Sequence, residues 1–240
     1  MTDAEFNGWV MESPLEKVRV QKQHTEGEVT HNTPLGKYIF DLAQQTHYKN
    51  FLEVGTLYGR GTTKCFLDAI MPRSDNARLT SIESNPTFFQ ITKEYWDKYF
   101  HYKKINPAKF NLIFGTMVTY EKLDDNYTTD SGHTKETYDY NADIKSAPLI
   151  KIEEEIDVLC LDGGHFSTIH EWNMFKNKIK AIVLDDTKTS KTKNISTEIH
   201  SDKTWDVILD SDFRNGQLVA IKQKPVPQRQ DGAGSPQPQK

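Results

Sequence analysis

Two short strings carry most of the chemistry this chain could perform. Phe51-Leu52-Glu53-Val54-Gly55-Thr56-Leu57-Tyr58-Gly59-Arg60-Gly61 closes an apolar run with a glycine-rich turn, and Leu161-Asp162-Gly163-Gly164-His165 closes a later one with an acid and a histidine. Glycines let a strand turn sharply into a helix while the backbone comes close to a ligand. The first string therefore reads as a cofactor turn. The second reads as a carboxylate and a general base, because imidazole titrates near neutrality and suits proton removal.

A further acidic pair, Asp185-Asp186, follows the apolar run Ala181–Leu184. Asp162, Asp185 and Asp186 should then converge on one edge of a sheet, beside the cofactor turn. Oxygen donors of this kind suit magnesium, with manganese or calcium fitting the same set. Adjacent carboxylates repel one another unless a cation or a proton intervenes, and a divalent ion would resolve that conflict. His165 lies three residues after Asp162, so one loop could hold a metal ligand and a base beside an acceptor hydroxyl. A plainer reading stands next to this one: Asp185-Asp186-Thr187 as a turn bonded to nearby backbone, and His165 as a helix cap or solvated loop residue.

The elements that must position these groups alternate along the chain. Thr33-Pro34 reads as an N-cap followed by proline at the first helical position, with Leu35, Tyr38, Ile39 and Leu42 at helical spacing; this helix is expected beside the first strand. Strand one is Phe51 to Val54, and the next helix runs from about Gly61 to Ile70, stopped by Pro72. Strand two is Leu79 to Ile82, and Asn85-Pro86 starts a helix whose apolar stripe is Phe88, Ile91, Tyr95 and Tyr99. Strand three is Phe110 to Phe114 and strand four Ile156 to Leu161, with an acidic insertion over about 124–146 between them that reads as a mobile flap. Thr168-Ile169-His170-Glu171 has the form of a capping box at the start of the following helix. Strand five is Ala181 to Leu184, and Trp205 to Leu209 with Leu218 to Ile221 form a closing antiparallel pair. Near-continuous apolar strands alternating with helices predict an α/β fold with a doubly wound, mostly parallel sheet.

At 240 residues the chain suits one such domain, spanning 33–222, preceded by an extension over 1–32 that forms a lid or an oligomer contact. A short amphipathic piece is expected there around Leu15, Val18 and Val20. The tail, 223–240, is rich in Pro, Gln and Gly and is expected to be disordered. Basic residues are dispersed and the net charge is −4, which argues against nucleic acid as a partner. Cys65 and Cys160 lack partners at metal or disulfide spacing, no run is long enough to span a membrane, and the chain start is not signal-like, so a soluble cytoplasmic protein is expected.

The glycine order argues against two common cofactors and leaves a nicotinamide dehydrogenase as a distant third reading. Gly55-x-x-x-Gly59-x-Gly61 is not the dinucleotide fingerprint, and no Gly-Lys-Ser/Thr ends the loop as a P-loop requires. Glu53-x-Gly55-x-x-x-Gly59, followed by Thr62-Thr63, instead resembles the first motif of class I S-adenosylmethionine-dependent methyltransferases. That resemblance implies a Rossmann-like, seven-stranded sheet and a loop, including Thr56, Tyr58, Gly61 and Thr62, wrapped around the amino-acid end of the cofactor. Ser81-Ile82-Glu83-Ser84 places an acid at the end of strand two, where members hold the ribose hydroxyls, a task that suits a carboxylate because it accepts two hydrogen bonds at once. Gly115-Thr116 follows strand three, where members often carry an adenine-contacting acid that this chain lacks.

The Asp162-x-x-His165 string with its later acidic pair resembles the metal-dependent sugar O-methyltransferases, macrolide-sugar and rhamnosyl enzymes that grade into the cephalosporin hydroxylase-like group. Catechol-type enzymes share the layout but usually have lysine in place of His165 and asparagine in place of Asp186. The resemblance implies that Asp162, Asp185 and Asp186 bind the metal, that two neighbouring sugar hydroxyls chelate it, and that His165 takes the proton. Asp162 is also expected to touch the cofactor. The expected partner is a sugar or glycan acceptor with vicinal hydroxyls. A catechol-type acceptor and a catalytically silent cofactor-binding protein are the alternatives.

Overall fold

Strands buried on both faces need helices above and below, and the chain supplies them in alternation. In the computed structural model, which describes residues 2–15, 17 and 29–223, the apolar runs become β1 (Asn50–Val54), β2 (Arg78–Glu83), β3 (Phe110–Phe114), β4 (Val158–Leu161) and β5 (Ala181–Asp185), all parallel. β6 (Trp205–Ser211) and β7 (Gln217–Lys222) close the sheet, β7 antiparallel to both β5 and β6, in the order β3-β2-β1-β4-β5-β7-β6. The predicted α/β, doubly wound, seven-stranded sheet with a C-terminal antiparallel pair is the fold observed.

Alternate strand residues feed two apolar layers. Phe51, Val158, Cys160, Ala181 and Val183 face one, with α2 (Pro34–Gln44), α3 (Thr62–Ile70) and α4 (Pro86–Lys103). Leu52, Leu159, Leu161, Ile182 and Leu184 face the other, with α6 (Thr168–Phe175) and α7 (Lys193–Ser201). Cys65 and Cys160 are free and buried. No helix among the described residues is long and apolar enough to cross a membrane.

The predicted caps on α2 and α4 form: Thr33 and Asn85 accept from the backbone amides of Gly36 and Phe88. Packing differs from expectation in three places. α2 lies chiefly against α3 and across β5, β6 and β7. On α4 the buried residues are Phe88, Ile91, Thr92, Trp96 and Phe100, while Tyr95 and Tyr99 are half-buried at the edge of the core. α1 (Asp3–Met11) supplies the reason, since Phe6 sets its ring edge-on to both tyrosines at 6.0 and 5.8 Å. The capping box at Thr168 does not form; Ser167 is the N-cap, Thr168 donates to the Gly164 carbonyl at 2.7 Å, and Glu171 is buried.

The acidic insertion carries α5 (Asp139–Ser146) and folds back over the end of β4. Val118, Leu123 and Ile144 bury a small cluster with Phe166, and Tyr127 meets Phe166 edge-on at 4.8 Å. Val18, Val20 and the tail beyond 223 lie outside the described residues.

Candidate active site

The order of the sheet reverses between β1 and β4, and in open α/β sheets that is where strand ends leave a crevice for ligands. The glycine turn and Asp162 meet there. Asp162 donates its amide to the Val54 carbonyl at 3.0 Å, and a Cβ on Gly55 would lie 2.5 Å from the Asp162 carbonyl oxygen. Gly55 and Gly59 have φ of 89° and 66°, conformations glycine adopts without strain. The result is a cavity of about 300 Å³ bounded by the turn, the tips of β2 to β5 and the insertion.

Two buried carboxylates build the turn. Glu83 accepts from the amides of Thr56 and Leu57 at 3.1 and 2.8 Å and from that of Asn85 at 2.8 Å. An ionised carboxylate offers about four acceptor positions, so these three amides do not exhaust it. Glu53 lies behind the turn, where the hydroxyls of Thr62, Thr63 and Ser81 all donate to it. Burial pushes both carboxyls up to about 7 against these hydrogen bonds. Of the residues singled out from the sequence, Glu53 and Gly59 stand behind the cavity wall and the others line it. Thr116 spends its hydroxyl on the Val118 carbonyl at 2.9 Å.

One carboxylate oxygen from each of Asp162, Asp185 and Asp186 lies within 4.8 Å of the other two, an oxygen set that fits a divalent cation. Asp186 reaches its place with φ of 61°, a left-handed conformation uncommon outside glycine and frequent at functional sites. A lysine that the sequence reading passed over enters the same ground. The buried Lys191 ammonium sits 2.7 Å from Asp162 Oδ1 and 3.1 Å from Asp186 Oδ2. Asn215 donates to Asp186 at 3.0 Å, and Arg214 approaches Asp185 at 3.6 Å. Burial raises Asp162 and, reinforced by its two acidic neighbours, pushes Asp185 up to about 7. Burial also opposes ionisation of Asp186, but the Lys191 charge and the hydrogen bonds from Asn215 and Lys191 hold it below the ordinary range. In Lys188-Thr189-Ser190-Lys191 nothing local separates Lys191 from Lys188, which pairs with Asp212 at the surface.

His165 lines the cavity next to this group. Burial, and then the Lys191 charge, lower its pKa, which keeps the imidazole neutral at neutral pH. The insertion frames it: the Tyr138 ring stands edge-on at 5.4 Å. Glu171 lies beneath, buried, with Oε2 lacking a hydrogen-bond partner and its carboxyl pushed up to about 7 by desolvation.

No known family model matches the sequence, and no curated protein is significantly similar to it. Solved structures do match its architecture. An O-methyltransferase from Bacillus cereus in complex with SAH aligns over 93% of this chain and 92% of its own at a TM-score of 0.59 and 13% identity. The O-methyltransferase TomG from Streptomyces achromogenes, involved in tomaymycin synthesis and solved with SAM, aligns over 88% and 89% at 0.54 and 13%. SAH-bound methyltransferase PaMTH1 from Podospora anserina aligns over 93% and 89% at 0.53 and 13%. The chain has the Rossmann-like methyltransferase fold. Within this methyltransferase fold, the glycine turn, Glu83, Asp162 and His165 all face one cavity at the reversal point of the sheet.

Proposed function

We propose that the chain is an S-adenosylmethionine-dependent O-methyltransferase. Its acceptor is a sugar with vicinal hydroxyls, such as a deoxyhexose in a glycan or glycosylated metabolite, and Asp162, Asp185 and Asp186 hold a divalent metal, magnesium above all. The observation that carries the reading is that His165 and the three acids share one cavity with the glycine turn.

The turn from Gly55 to Thr62 would take the amino-acid end of the cofactor and Glu83 the ribose. The cofactor supplies an electrophilic methyl group, and a dication bound by the acids would make an acceptor hydroxyl more acidic. His165 takes the hydroxyl proton, a role that its neutral imidazole can fill. Lys191 is the other nitrogen base of the site, but its contacts with Asp162 and Asp186 hold it as an ammonium, raising its pKa despite burial.

The test is methyl transfer from S-adenosylmethionine to a rhamnoside and to a catechol, each with magnesium and with a chelator. Turnover of the rhamnoside that the chelator abolishes is the expected result. Transfer to the catechol alone would replace the sugar reading, and chelator-insensitive turnover would remove the metal.

A further inference from the structure

The three acids and Lys191 together pose a question of occupancy. The Lys191 ammonium lies 2.7 Å from Asp162 and 3.1 Å from Asp186, two of the three carboxylates a dication would need. Two cations cannot share that ground, because at such separations their repulsion in a largely buried site is severe. The lysine has room to leave. It stands on the loop between β5 and α7, its side chain borders the cavity, and four methylenes let the charged head swing without moving the backbone. Tyr138 and Tyr140 on the insertion line the same cavity as Lys191, so it holds aromatic and hydroxyl partners for the displaced ammonium.

We propose that Lys191 is a resident counterion of the acidic group: it neutralises Asp162 and Asp186 when no metal is bound, and a divalent cation enters only by expelling its ammonium into the cavity. The inference rests on the reading of these acids as a metal site. It assigns Lys191 the job of setting metal affinity. Without the lysine, two ionised acids would face each other unscreened in the metal-free protein. With it, the protein can fold with the acids already gathered, and the metal must compete for them.

Titrating the full-length protein with Mn2+, and following free Mn2+ by electron paramagnetic resonance, tests the competition without reference to turnover. Lys191→Met is expected to bind Mn2+ about tenfold more tightly than the parent, or more, because one competing positive charge has been removed. Equal or weaker binding by Lys191→Met, with the parent binding normally, overturns the inference and leaves the metal site standing. Failure of both proteins to bind Mn2+ overturns both, and binding by the variant alone supports the inference while removing metal dependence from the parent. A second measurement needs no variant: acylation of Lys191 by an amine-selective reagent, read by peptide mass spectrometry, is expected to rise when Mn2+ is added. Unchanged or reduced labelling by a protein that binds Mn2+ also overturns the proposal.

Discussion

Ser190 Oγ lies 3.4 Å from Nδ1 of His165, joining the loop after β5 to the loop after β4. Ser190 is held in turn from the insertion, its amide donating to Asp130 Oδ2 at 2.5 Å and its Oγ accepting from the Asp130 amide at 3.2 Å. Three segments remote in sequence thus fix one imidazole. In the tautomer whose Nδ1–H donates to this hydroxyl, Nε2 is left to take up a proton.

If His165 is the base, His165→Gln lowers turnover by on the order of 10²–10⁴ while binding of S-adenosylhomocysteine, measured by calorimetry, stays intact. The rate of the parent should rise with pH through a pKa below the ordinary 6.5, since burial and Lys191 both disfavour the imidazolium. The variant should lose that limb. A pH profile unchanged by the substitution would take His165 out of the reaction.

Ser190→Ala removes the partner of Nδ1 without touching the cavity acids, so its effect is expected in kcat, by about tenfold, with KM nearly constant. Asp130→Ala acts through Ser190 and should give the same split. Loss of KM in either variant would instead mean that the insertion binds the acceptor through these residues.

Gly55→Ala introduces a Cβ 2.5 Å from the Asp162 carbonyl oxygen at a φ of 89°. The left-handed backbone alone costs roughly 1–3 kcal/mol, before the clash with rigid backbone is added. Denaturant unfolding should show at least that loss, and cofactor binding should be lost with it because the turn must open to relieve the contact.

Glu171 gives a pH signature in stability. Its folded pKa, pushed to about 7 from 4.5, means that the native state keeps a proton the unfolded chain gives up between those values. Stability is therefore expected to fall as pH rises through that window. Glu171→Gln is neutral throughout, so it should match the parent near pH 5 and exceed it near pH 8 by up to roughly 3 kcal/mol. Thermal melts of the two proteins that run parallel across the window would contradict this assignment.

The sequence by itself determined the sheet, because burial on both faces writes parallel strands as apolar runs and the stops between them fix their ends. It also determined which residues reach the cavity, since strand ends at a reversal of the sheet must face it; Gly55, Glu83, Asp162, His165 and Asp185 follow from that rule alone. What those side chains do there was settled by partners from other segments. Glu53 has the sequence position of a cofactor ligand, yet the hydroxyls of Thr62, Thr63 and Ser81 claim it from behind the turn. The helical spacing on α4 could not say that Phe6 would cover Tyr95 and Tyr99 and leave Trp96 for the core. Lys191 was illegible for the same reason: it lies 29 residues from Asp162, and only the folding of the loop after β5 brings an ordinary polar-loop lysine into contact with that acid. Periodicity and turn chemistry are local and survive in the sequence, whereas an ion pair between distant loops exists only once the packed sheet sets the distance between them.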